Sequence, residues 1–163
     1  MSGGPSCGAV MRRVVSGGQT GVDRAALDAA LALGIPCGGW CPRGRRSESG
    51  PIPDRYPLEE TPNSAYPERT ERNVRDSDGT LVLKRGALRG GTALTVALAR
   101  RVGKPFLVVD LENPDGPGEI REWLARGRIQ VLNVAGPRES EAPGIHAQAV
   151  SLLLELLSDS RPG

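Results

Sequence analysis

Residues 9–33, AVMRRVVSGGQTGVDRAALDAALAL, place a short apolar run directly before two glycines and a segment with helical periodicity. The apolar run predicts a strand that ends at Ser16. Leucines recur four residues apart beyond the glycines, which predicts a helix over Thr20–Leu33 with Gly34 as its C-terminal stop. The stretch is therefore typical of a strand–turn–helix unit.

The same alternation continues along the chain. Further strands are predicted at IPCGGWC (35–41), GTLVLK (79–84), PFLVVDL (105–111) and IQVLNVA (129–135). Further helices are predicted over about 66–75, 92–102, 117–126 and 145–157. Alternating elements with near-continuous apolar strands indicate a parallel sheet covered on both faces. We therefore expect residues 10–163 to form a single Rossmann-like, doubly wound α/β domain, with a mainly parallel sheet of about five strands and helices on both faces.

Composition narrows the class of protein. The chain has 163 residues, a formal net charge of +2 and three cysteines. That charge does not indicate a nucleic-acid partner, and no apolar run is long enough for a transmembrane helix. Residues 1–9 lack the pattern of a secretory signal and are expected to form a flexible tail. Cys37 and Cys41 have no histidine or acidic cluster beside them, so we expect no metal site and no disulfide framework, which favours the cytoplasm.

Glycine, arginine and hydroxyl residues collect where the predicted strands end. The segments are SGGQTG (16–21), CPRGRR (41–46), RGALRGGT (85–92) and AGPRES (135–140). Carboxyl ends of parallel strands share one edge of a sheet, where ligands bind in such folds. Glycines before a helix let an anion approach the free N–H groups of its first turn. Gly17–Gly18 and Gly90–Gly91 therefore predict an anion site, although either pair could serve only a tight turn.

Asp23 admits two interpretations. TGVD (20–23) fits a capping box, with Thr20 at the N-cap and the Asp23 carboxylate bonded back to a backbone N–H. Alternatively, this carboxylate accepts hydrogen bonds from a bound heterocycle. Three polar residues on one face of the helix at 66–75 either line a pocket or are solvated: Arg69, Thr70 and Asn73.

Six segments follow one another in the pattern of a known family. They are SGGQTGVDRAALDAAL, GGWCPRGRRSESGPIPDRYPLEET, YPERTERNVRDSDGTLVL, GGTALTVALA, KPFLVVDL and LNVAGPRESEAPGI. Over residues 14–157 the chain resembles the molybdenum carrier family. That family is similar to molybdenum cofactor carrier proteins and belongs with the lysine-decarboxylase-like, or LOG-type, Rossmann proteins.

The resemblance implies a Rossmann-like subunit, usually of a homo-oligomer such as a dimer or tetramer, that binds, stores and protects the molybdenum cofactor without turning it over. This cargo is a phosphorylated molybdopterin, and molybdate is an alternative cargo. Molybdoenzymes or cofactor-synthesis proteins are the implied partners. The resemblance implies no catalytic residue. The family's binding loops correspond here to Gly17, Gly18, Gln19, Thr20, Arg43, Arg45, Gly90, Gly91 and Thr92.

Two alternatives come from the same relatives. LOG-type phosphoribohydrolases cleave nucleoside 5′-monophosphates and carry the motif PGGxGTxxE, in which Thr95 of this chain stands at the glutamate position. Threonine cannot replace a carboxylate as general acid or base. We therefore expect a carrier rather than an enzyme. A non-catalytic nucleotide sensor is the third interpretation, because a fold does not determine a function.

The predicted last helix is richer in leucine than one buried stripe requires. Its leucines are Leu152, Leu153, Leu154, Leu156 and Leu157. A surface helix of a monomer needs a single apolar stripe. We therefore expect this helix also to contact a second subunit.

Overall fold

The computed structural model describes residues 10–158, so the expected tail at 1–9 and the segment 159–163 lie outside the described residues. The strands are β1 (Arg13–Val15), β2 (Cys37–Gly38), β3 (Trp40–Cys41), β4 (Glu59–Glu60), β5 (Gly79–Lys84), β6 (Phe106–Asp110) and β7 (Val131–Ala135). The helices are α1 (Val22–Leu33), α2 (Tyr66–Arg75), α3 (Gly90–Val102), α4 (Gly116–Gly127) and α5 (Ile145–Leu157). None of these helices has the length and apolar character that crossing a membrane requires.

Five strands form one parallel sheet in the order β2-β1-β7-β5-β6. The strand that comes last in the chain, β7, lies in the centre, where Leu132 pairs with Val14 of β1 and Val134 pairs with Leu81 of β5. If β7 is counted first, the order becomes 3-2-1-4-5, which is the Rossmann order. The sheet is therefore a Rossmann sheet in which the first strand has moved to the end of the chain.

Helices cover both faces of this sheet, as the sequence predicts. The crossovers β1-α1-β2 and β5-α3-β6 run in opposite directions across the sheet, so right-handed connections place α1 and α3 on opposite faces. Helix α1 packs on α5, and α2 packs on α3. The buried core joins α1, α5 and the strands through residues such as Val22, Leu81, Leu132 and Leu153.

The prediction of one strand over residues 35–41 is wrong, because the segment forms two short strands that belong to different sheets. Strand β2 joins the main sheet, whereas β3 pairs in parallel with β4. Gly39 lies between β2 and β3 with φ +133°, and a Cβ there would come within 2.2 Å of the Ser16 carbonyl oxygen. The chain therefore bends sharply at a position that admits only glycine.

Residues 42–65, here called the proline-rich loop, contain β4 and are held by one arginine. The Arg45 side chain donates hydrogen bonds of 2.8–3.3 Å to four backbone carbonyls, those of Ile52, Pro53, Tyr56 and Leu58. Ile52 and Tyr56 are buried in a cluster with Leu27 of α1. The loop is therefore fastened both to itself and to the first helix.

The leucines of α5 are largely absorbed within the chain. Leu153, Leu156 and Leu157 are buried in the core, and Leu152 and Leu154 are partly buried against it. Three of the five leucines that suggested a subunit interface thus have partners in the same chain.

The contrast between neighbouring leucines gives a test of this packing. Leu153→Ala should lower the free energy of unfolding by about 2–5 kcal/mol, because it opens a cavity at a fully buried position. Leu152→Ala, one residue away and only partly buried, should lower it clearly less. Urea unfolding followed by circular dichroism measures both, and equal losses would contradict the orientation of α5.

Candidate functional site

A pocket opens at the carboxyl edge of the sheet, between α2, α3 and the ends of β1 and β7. It is an open cleft whose empty volume, including the part open to solvent, is about 830 Å³. The lining residues are Gly17, Gln19, Asp23, Tyr66, Arg69, Thr70, Asn73, Gly90, Gly91, Thr92, Leu94, Thr95, Asn133, Val134, Ala135, Gly136, Arg138 and Glu141. Both glycine loops therefore reach the same pocket.

A buried ion pair forms part of the pocket wall. Arg69 of α2 is 9% exposed and Asp23 of α1 is 6% exposed. Their only contact joins Nη1 of Arg69 to Oδ2 of Asp23 at 3.5 Å. The buried Nε of Arg69 has no hydrogen-bond partner among the described residues. A Cβ at Gly17 would come within 1.8 Å of Nη1, so this glycine makes room for the guanidinium.

Burial raises the pKa of Asp23 to about 6, and the nearby Arg69 guanidinium offsets only part of that rise. Backbone N–H groups of Gln19 and Gly136 also lower this pKa by hydrogen bonding to the carboxylate. At pH 7 the carboxyl group is therefore mostly ionised, but it titrates close to neutrality. A carboxyl group of this kind in a pocket can accept hydrogen bonds from a ligand or exchange a proton with it.

The predicted capping box at the start of α1 is wrong. The helix begins at Val22, and its N-cap is Gly21, with φ +81° and no side-chain hydrogen bond. The N–H of Val22 donates to the carbonyl of Pro137 at 3.2 Å. A Cβ on Gly21 would come within 2.2 Å of that same carbonyl oxygen. The first turn of α1 thus lies under the chain that follows β7, and the Asp23 carboxylate turns toward Arg69.

The first turn of α3 is open by contrast. Among the described residues, the N–H groups of Gly90 and Gly91 have no acceptor, whereas that of Thr92 donates to the Arg89 carbonyl. The first turn contains no acidic residue, and a Cβ on Gly91 would meet nothing within 4 Å. A helix N-terminus with free N–H groups that face a pocket favours an anionic ligand.

Glu48 joins the proline-rich loop to the rim of the pocket. Its carboxylate accepts hydrogen bonds from the hydroxyl groups of Thr20 and Ser140 and, at 3.1 Å, from the Ser140 N–H. The Glu48 N–H donates to Oε1 of Gln19 at 2.9 Å. Arg138 lies 3.8 Å from Glu48 and 3.4 Å from Glu141. The loop and the chain after β7 are therefore held together beside the pocket.

The predicted site residues divide into two groups. Gly17, Gln19, Gly90, Gly91 and Thr92 line the pocket. Gly18, Thr20, Arg43 and Arg45 are not among its lining residues. Gly18 has φ +77° and packs against Leu58, Thr20 bonds Glu48, and Arg45 is occupied by carbonyls of its own loop. Arg43 is exposed in the same loop.

Four charged residues line the pocket and are not among the predicted binding residues: Asp23, Arg69, Arg138 and Glu141. The α2 face that carries Arg69 did indicate a pocket as one of its two alternatives. For Asp23, the interpretation that its carboxylate accepts hydrogen bonds from a bound heterocycle also predicts a position in the pocket. Arg138 follows β7 within AGPRES, and its position in a strand-end loop was the available signal. No group of three or more metal-ligating side chains occurs within residues 10–158.

The fold and the pocket define a Rossmann-like α/β domain with an open cleft where such domains take small ligands. The chain matches the circularly permutated YpsA SLOG family over residues 14–157 and belongs to that family. The strand order, with β7 in the first-strand position, agrees with that permutation.

The chain is also similar to the crystal structure of "Putative molybdenum carrier protein" from Syntrophus aciditrophicus SB. The two chains are 46% identical, the match covers 92% of this chain and 96% of that chain, and the TM-score is 0.89. None of the curated proteins matches this chain. The resemblance inferred from the sequence is confirmed at the level of the family.

The ion pair between Arg69 and Asp23 predicts how the pKa of Asp23 changes when the arginine is removed. Arg69→Met should raise the pKa of Asp23 above its value of about 6, because it removes the charge that favours the carboxylate. A pH titration of the Asp23 carboxyl carbon by NMR measures this shift. Arg138→Gln is the control, since it removes another pocket arginine without removing the partner of Asp23. An unchanged pKa in Arg69→Met would contradict the pairing.

Proposed function

We propose that this protein is a carrier that binds, stores and protects the molybdenum cofactor, a phosphorylated molybdopterin, without turning it over. The observation that carries the proposal is the open first turn of α3, where Gly90 and Gly91 line the pocket and their N–H groups have no acceptor among the described residues. The molybdenum carrier name of a neighbour that is 46% identical over most of the chain supports the choice of cargo.

The phosphate of the cargo is placed at the N-terminus of α3. Gly90 and Gly91 supply backbone donors, and the buried Thr92 lines the same end of the pocket. Arg138, which lines the pocket, supplies a cation, and Glu141 is its ion-pair partner. An arriving phosphate competes with that carboxylate for the guanidinium, which suits reversible binding of a cargo.

The remaining predicted residues have supporting roles in the proposal. Gly17 and Gln19 line the pocket after the end of β1. Arg45 fixes the shape of the proline-rich loop through its four carbonyl contacts, and Arg43 on that loop is exposed and free to approach a bound oxyanion. We further propose that bare molybdate uses the same donors, since it is also an oxyanion.

Homo-oligomer formation and delivery to molybdoenzymes or cofactor-synthesis proteins belong to the same proposal. Light scattering at micromolar concentration tests the oligomer. A monomer mass would count against it.

A phosphoribohydrolase is the second candidate, and one observation favours it. Asp23, in the pocket, has a pKa raised to about 6, so it is a group that could protonate a departing base. Against this candidate, Thr95 at the glutamate position donates its hydroxyl to the Gly91 carbonyl at 2.9 Å and carries no carboxylate. Incubation with nucleoside 5′-monophosphates separates the two: release of free base that Asp23→Asn abolishes supports the hydrolase, and absence of turnover supports the carrier.

Placement of the phosphate at α3 predicts the effect of one added charge. Gly91→Asp should weaken retention of the molybdenum cofactor at least about tenfold, because the new carboxylate occupies the anion's place at the helix N-terminus. The variant should fold, since an acidic residue is favourable in a first helical turn and the space at Gly91 is open. Molybdenum analysis and pterin fluorescence after gel filtration under low oxygen measure retention.

Gly118→Asp is the matched control. It places the same side chain in open space in the first turn of α4, away from the pocket. This variant should retain the cofactor like the wild type. Equal retention by Gly91→Asp would show that the phosphate lies elsewhere.

A further inference from the structure

We propose that Asp23 and Arg69 together recognise a ring edge on which a carbonyl stands next to a ring N–H and an amino group. Pterins and guanine share this edge, here called the amino–oxo edge. The inference rests on the proposed function, because it assigns the ring of the phosphorylated ligand to the part of the pocket that Asp23 and Arg69 line.

The ion pair is left incomplete by the protein. Arginine and a carboxylate commonly pair through two parallel hydrogen bonds. Here a single contact of 3.5 Å joins Nη1 of Arg69 to Oδ2 of Asp23, although both side chains are about nine-tenths buried. The Nε of Arg69 has no partner among the described residues. A buried donor without an acceptor destabilises the folded chain, so the protein alone does not satisfy this ion pair.

The two charges fit complementary atoms of the amino–oxo edge. The Asp23 carboxylate accepts from the ring N–H and the amino group, and the Arg69 guanidinium donates to the neighbouring carbonyl. Adenine presents an amino donor beside an unprotonated ring nitrogen, so it leaves the guanidinium without a carbonyl and sets a lone pair against the carboxylate. The pair therefore discriminates between bases by hydrogen-bond pattern rather than by size.

Surrounding groups hold both side chains in place. Gly17 lets the guanidinium lie against the backbone of the first loop. Backbone N–H groups of Gln19 and Gly136 lie close enough to the Asp23 carboxylate to lower its pKa. One turn along α2 from Arg69, Asn73 bonds both the N–H and the carbonyl of Trp40, which fixes the helix against β3. A preorganised pair of this kind binds without the entropy loss of ordering two long side chains.

The first test compares ligands on the unmodified protein by isothermal titration. The probes are guanosine, inosine, adenosine and xanthosine 5′-monophosphates and 6-hydroxymethylpterin monophosphate. The guanine and pterin probes should bind at least about tenfold more tightly than the adenine probe, with inosine monophosphate between them because it lacks the amino group. Equal affinity for the guanine and adenine probes, or binding of none of the probes, would overturn the inference. Stronger binding of the pterin probe identifies the ring as a pterin, and the reverse identifies it as guanine.

The second test exchanges the hydrogen-bond pattern. In Asp23→Asn the amide oxygen still accepts from the ring N–H, and the new amide N–H₂ group donates. Xanthine has a second carbonyl where guanine has its amino group, so this donor finds an acceptor there. This variant should bind xanthosine monophosphate more tightly than guanosine monophosphate. Arg69→Met should weaken the guanine and inosine probes alike, because both present the carbonyl. Glu122→Gln, which alters an exposed carboxylate of α4 outside the pocket, should keep the wild-type ranking.

Two results separate this inference from the carrier proposal. If wild type and Asp23→Asn retain the molybdenum cofactor equally, the assigned edge is wrong and the carrier proposal stands. If the guanine-to-xanthine exchange occurs and no cofactor is retained, the edge is right and the carrier proposal fails. Circular dichroism confirms that each variant is folded, and the ligand comparison on the wild-type chain tests the inference without any variant.

Discussion

The parallel pairing of β7 between β1 and β5 is the constraint on which the site depends. Because β7 has a neighbour on each side, its carboxyl end lies beside the ends of both, and segments more than 50 residues apart in sequence meet at one edge. Gly136 follows β7 there, and a Cβ on it would come within 2.3 Å of the Leu83 carbonyl oxygen and 2.6 Å of the Val22 side chain. Close approach at this glycine allows the chain after β7 to cover α1 and line the pocket.

The elements that local signals define could be predicted from the sequence. Helix α5 begins after Gly144, which has φ +88°, and helix α2 has a proline in its first turn; both have the predicted bounds. Strand β5 also has the predicted bounds, since a continuous apolar run between a glycine and a lysine leaves little choice. The class of sheet followed from the alternation alone. The family followed from the order of the motifs.

The parts that could not be predicted depend on contacts distant in the chain. Nothing near TGVD indicates that a carbonyl more than 100 residues later, that of Pro137, takes the N–H of Val22. Arg45 lies in an arginine-rich segment typical of anion binding, yet its guanidinium is used by four carbonyls that only the folded loop brings together. Strand β4 is two exposed glutamates, and only its partner β3 makes it a strand.

Two helices of this chain have paired glycines shortly before or at their first residue, and the comparison shows what such a pair means. At α1, glycine relieves crowding: Gly17 makes room for Arg69, Gly18 for Leu58 and Gly21 for Pro137, and an acidic residue occupies the first turn. At α3, Gly91 faces open space, the first turn holds no acid, and two N–H groups have no acceptor among the described residues. The same sequence pattern thus serves close packing at one helix and leaves an open anion-binding geometry at the other. Whether a side chain would fit, rather than the presence of the glycines, distinguishes the two.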